Sequence, residues 1–156
     1  MKRTSVSAVI GLILAGGVLG YLIEIMLQSF GGAMLIPPMT LSVTLIVIAA
    51  AIIGLAIPVR RRVTGKRKAP LSPFYATRVA VLAKSGALAG SLLLGWAAGI
   101  LIYVLGRPIA PSGGQFAAVI VQAVSSLILV IAALIAERMC TLPPDEPEED
   151  AAHGNA

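Results

Sequence analysis

Aromatic residues make up only 4% of the 156-residue chain and charged residues only 12%. The charged share is about half that of a soluble domain, so water is not the solvent for most of this sequence. A single cysteine, Cys140, excludes an intramolecular disulfide framework. The single histidine, His153, falls in the terminal stretch "LPPDEPEEDAAHGNA". That stretch is acidic, contains proline and has too few large apolar side chains to bury a core, which predicts a disordered tail over 139–156. A Ser–His or Cys–His pair would have to be held by it, and Cys140 with His153 makes two metal ligands without fixed geometry. The chain also lacks H-E-x-x-H, G-x-S-x-G, G-x-x-x-x-G-K-[ST] and G-x-G-x-x-G. No enzyme activity, cofactor or metal is expected.

Long apolar runs are abundant. Hydrophobic residues form 58% of the chain, and its mean hydropathy is +0.95. Four segments, about 6–27, 41–59, 87–106 and 116–136, each reach the roughly 20 residues that a helix needs to cross a hydrocarbon core. Sheet is disfavoured because the runs are continuous rather than alternating and an open sheet edge cannot face lipid. The expectation is an all-α polytopic membrane protein: a four-helix transmembrane domain over 1–138, followed by the tail. The first segment follows Lys2 and Arg3 but exceeds the h-region of a cleaved signal peptide, so it reads as a retained anchor.

Basic residues set the orientation. Arg60, Arg61, Arg62, Lys66, Arg67 and Lys68 fill the connection between the second and third segments, with Arg78 close behind; the other two connections hold only Arg107. Both termini and the basic loop are therefore expected on the cytoplasmic side of a bacterial inner membrane. The loop has no interleaved aromatic and no nucleic-acid-binding fold, so anionic lipid headgroups or a membrane-protein partner are the expected contacts, not nucleic acid.

Lys84 sits in the apolar stretch 79–106. Those 28 residues would be about 42 Å long as a helix, against a core of about 30 Å. Counting about 20 residues back from Arg107 reaches Ala87 and leaves Lys84 at the inner interface, where its stem can snorkel. A lead-in from Pro73, with Ser72 as N-cap and Phe74, Tyr75 and Arg78 in the headgroup zone, fits that depth. The alternative is a buried polar site.

Glu24 lies about one turn from the outer end of the first segment. Gly16, Gly17, Gly20 and Glu24 fall within about 100° of one another at 100° per residue, so the carboxyl should face a neighbouring helix. Tyr103, Gln115 and Gln122 lie at similar depth, which predicts a hydrogen-bonded layer with Glu24. Such a layer could glue helices together, or Glu24 could relay protons or bind a cation. A stripe of Gln115, Gln122, Ser126, Ala133 and Glu137 should turn the fourth helix toward protein. In the third segment, Gly86/Gly90 and Gly95/Gly99 are small-x-x-x-small pairs half a turn apart, so each pair should meet a different neighbour and make this helix the centre of the bundle. The halves also resemble each other at an offset of 79, pairing Gly16 with Gly95 and Gly20 with Gly99.

The order of these features is similar to a family of small actinobacterial membrane proteins, domain of unknown function 3180. The resemblance rests on "LAGGVLGYL", the "PP" connection, "PVRR", "P-F-x-A-x-R-V-x-x-L-A-K" before "GALAGSLLLGW", and a "Y-x-x-x-R-P" exit, and it spans roughly residues 2 to 138. Pro38, Arg60, Arg78, Lys84, Gly90, Gly95, Trp96, Gly99 and Arg107 match the pattern, and Ser85 departs from it. The family has no assigned activity, so the resemblance implies none. Two functions remain in view: a helix-packing partner or assembly subunit acting through its basic face, or a small oligomeric transporter or channel subunit using Glu24.

Overall fold

The described chain forms four helices, α1 (Val6–Ser29), α2 (Met39–Val63), α3 (Pro73–Leu105) and α4 (Gly113–Cys140). They come from a computed structural model that describes residues 5–63, 73–106 and 113–140. Each helix is long and apolar enough to cross a membrane, so the all-α, four-span expectation is met. Lys66, Arg67, Lys68, Arg107 and the acidic tail over 141–156 lie outside the described residues.

Local chemistry explains the helix ends. The Ser5 hydroxyl caps α1 by accepting from the Ala8 N–H at 3.4 Å. At the other end Gly31 adopts a φ of 72°, open to glycine at no steric cost. Its N–H donates to the Gln28 carbonyl at 3.0 Å, and the Gly32 N–H donates to the Leu27 carbonyl at 2.9 Å. This double closure satisfies carbonyls that the helix end leaves open. Pro37 and Pro38 then delay the next helix until Met39. The 33 residues of α3 run unbroken from Pro73, through the lead-in that the sequence sets apart. At about 50 Å this helix is longer than a hydrocarbon core.

In the packing, α3 touches α1, α4 and, less extensively, α2; α2 lies along α4; α1 packs on α3 alone. Helices α1 and α3 run parallel. A side chain on Gly95 or Gly99 would collide with the Ile13 or Gly17 carbonyl, and one on Gly20 would come within 2.7 Å of the Trp96 carbonyl. Only glycine lets these backbones approach so closely. The offset that aligns the two halves thus also aligns the two glycine faces that meet. Gly86 and Gly90 look the other way, toward Ile52 and toward Leu129 and Val130. The halves nevertheless pack differently, because α3 lies along α4 whereas α1 and α2 make no contact.

Two apolar clusters fill the bundle. The larger joins Leu45, Ala49, Ile52, Ala56 and Val59 of α2 to Val79 and Ala83 of α3 and Leu129, Ala132 and Ala136 of α4. The smaller, at the opposite end, joins Ile100, Val104 and Val119, with Met34 from the α1–α2 connection packed against it. That connection therefore folds inward over the bundle. Along α1 only Gly16, Gly20 and Glu24 are buried; Val6, Ile10, Leu14, Val18 and Met26 face outward, as the surface of a helix in lipid should.

Candidate functional site

The polar side chains within the spans are the natural place to look for function, because each costs free energy in hydrocarbon unless it is partnered. Glu24 is 1% exposed. Its Oε1 accepts a hydrogen bond from the Leu35 backbone N–H at 3.0 Å, which ties the end of α1 to the inward-folded connection. One turn earlier, the Tyr21 ring meets the Tyr103 ring edge to face, with centroids 5.8 Å apart. This geometry suits the aromatic quadrupoles and adds to the α1–α3 contact.

Gln122 is equally enclosed, at 3% exposed. The Ser42 hydroxyl of α2 donates to its Oε1 at 2.9 Å, and its Nε2 donates to the Ser126 hydroxyl at 3.4 Å. Ser126 in turn donates to the Gln122 carbonyl at 2.9 Å, closing the group on itself. Ser91 and Ser125 donate to the carbonyls four residues earlier, Ala87 and Val121, as hydroxyls do when a helix must satisfy them internally. The contacts described for the residues of the expected layer are to other groups: the Leu35 N–H for Glu24, Ser42 and Ser126 for Gln122, and the Tyr21 ring for Tyr103. Gln115 is half-buried near the start of α4, while Arg60, Arg78 and Lys84 are exposed.

Ser42 could have been found. It begins the series Ser42, Leu45, Ala49, Ile52, Ala56 and Val59, all buried, at the spacing of three and four that marks one helix face. The Leu35 N–H carried no comparable signal, because the path of an irregular connection is not written in periodicity.

Between the two polar contacts lies a cavity of about 300 Å³. Leu35, Ile36, Pro37 and Pro38 form its roof, Leu41 one wall, Leu93, Trp96 and Ala97 another, and Gln122 its polar member. Among the described residues, no group of three or more histidine, cysteine or acidic side chains is placed to hold a metal ion. Cys140 is a free, half-buried thiol at the end of α4.

The family described as "Protein of unknown function (DUF3180)" matches residues 9–144 of the chain. No curated protein and no solved structure matches it. The family match covers most of the chain and includes all four helices but for the first residues of α1. This multi-pass membrane protein therefore belongs to the DUF3180 family.

Proposed function

We propose that this protein is a non-enzymatic helix-packing partner or assembly subunit of a bacterial inner membrane, with both termini and the basic 60–68 loop on the cytoplasmic side. The observation that carries this reading is the way polar groups in the spans are spent on holding the chain together. Gln122 binds Ser42 and Ser126, and Glu24 fastens the α1–α2 connection. The cavity takes Gln122 into its lining but neither Glu24 nor Lys84, so these three do not converge around it. The basic loop, worth about 1 kcal/mol per residue against anionic headgroups, anchors the cytoplasmic face or receives an acidic partner.

The test is crosslinking followed by affinity purification from native membranes. Wild type is compared with a variant neutralised at Arg60, Arg61, Arg62, Lys66, Arg67 and Lys68. A specific partner retained by wild type and lost by the variant is the expected result; the same proteins recovered with both count against the loop. The second reading, a small oligomeric transporter or channel subunit, draws on the burial of the Glu24 carboxyl among apolar helices.

A further inference from the structure

The cavity beneath the α1–α2 connection exists because α2 is held in two different ways along its length. Toward Val59 it packs into the cluster with Val79 and Ala83, and Ile52 reaches Gly86 of α3. Toward its start it leans on α4 through Ser42 and Gln122. Leu41 of α2 and Leu93, Trp96 and Ala97 of α3 therefore face one another across open space. On the flank, α1 offers no wall: it does not pack on α2 and contributes no lining residue.

What fills this space can be argued by elimination. Water in a buried site needs two to four polar partners. Here the walls are apolar, and the one polar side chain, Gln122, already binds Ser42 and Ser126. Among the described residues, no segment beyond this lining reaches into the space. An empty apolar space of this size is costly. The surroundings, however, are hydrocarbon: Leu93 is 12 residues from the end of α3, about 18 Å down a helix that crosses the membrane. The volume suits a chain of about ten water-sized groups, the size of methylenes, and is too small for a whole lipid.

We propose that the cavity is a binding site for one hydrocarbon chain of a membrane phospholipid, which enters from the bilayer through the gap between α1 and α2 and lies against Trp96. The roof over 35–38 closes on the chain, and Glu24 holds that roof through the Leu35 N–H.

Trp96 is the only tryptophan in the chain, so its fluorescence reports on this site directly. The full-length protein is reconstituted in vesicles of phospholipids brominated on the acyl chains, beside Leu41→Phe and Ala97→Leu, which fill the cavity from opposite walls. The expected result is strong quenching in wild type that falls severalfold in either folded variant, with little quenching by aqueous acrylamide. Equal bromine quenching in wild type and variants overturns the proposal. So does acrylamide quenching in wild type that filling removes, since it would mean a hydrated cavity. A second measurement needs no variant: a phospholipid carrying a diazirine on its acyl chain is photolysed with wild type, and the labelled residues are mapped. Label on Leu41, Leu93 or Ala97 supports the site; label confined to outward-facing residues such as Ile10, Leu14 and Ile102 overturns it.

Discussion

The Leu35 backbone N–H donates to Oε1 of Glu24 at 3.0 Å, joining the last turn of α1 to a connection that folds back over the bundle. A carboxyl so deeply enclosed beside a backbone donor serves first as a structural acceptor. Glu24→Gln keeps a carbonyl oxygen in the same place and should cost less than about 1 kcal/mol. Glu24→Ala leaves the N–H without that acceptor and should cost about 1–3 kcal/mol. Thermal unfolding in detergent micelles should rank wild type and Glu24→Gln close together, with Glu24→Ala below both.

The glycine face between α1 and α3 makes a sharper prediction. A Cβ at Gly95 or Gly99 meets backbone, which cannot turn aside as a side chain can. Gly95→Ala and Gly99→Ala should each push α1 away and destabilise by about 1–3 kcal/mol. Gly54→Ala has nothing within 4 Å of the new Cβ and, by helix propensity, should be neutral or stabilising. Proteolysis of the α1–α2 connection, followed with time, should accelerate for the first two variants only.

The Ser42–Gln122 bond crosses between helices adjacent at the membrane but 80 residues apart in sequence. Interhelical hydrogen bonds in lipid average about 0.6 kcal/mol and reach about 1.7. A double-mutant cycle with Ser42→Ala and Gln122→Leu should return a coupling in that range. A coupling indistinguishable from zero would mean that the bond does not hold α2 against α4.

These contacts show where the sequence was informative. The four spans were legible from continuous apolar runs, and the Gly16–Gly20–Glu24 face from simple angular spacing; those are the three residues α1 buries. The two-sided glycine pattern of α3 was legible for the same reason, since helix geometry fixes which positions share a face. Partner choice was not. Gln122 meets Ser42 because α2 leans on α4 rather than α1, and that neighbour relation depends on the summed packing of three helices. The cavity was equally hidden: it arises where the two halves, alike in sequence, fail to pack alike.

Orientation can be tested with the single native cysteine. If both termini are cytoplasmic, a membrane-impermeant maleimide should label Cys140 only after lysis. In a Cys140→Ser background, Ser112→Cys should be labelled in intact cells from which the outer barrier has been removed. The reverse pattern would place the basic loop outside and contradict the positive-inside assignment.

The central claim is that the buried polar groups hold the bundle together and carry no solute. Its most direct test is proton and monovalent-cation flux in liposomes containing wild type or Glu24→Gln, each shown to be folded. The account predicts no protein-dependent flux from either. Flux with wild type that disappears with Glu24→Gln, while the fold stays intact, would contradict it and make Glu24 a transport site.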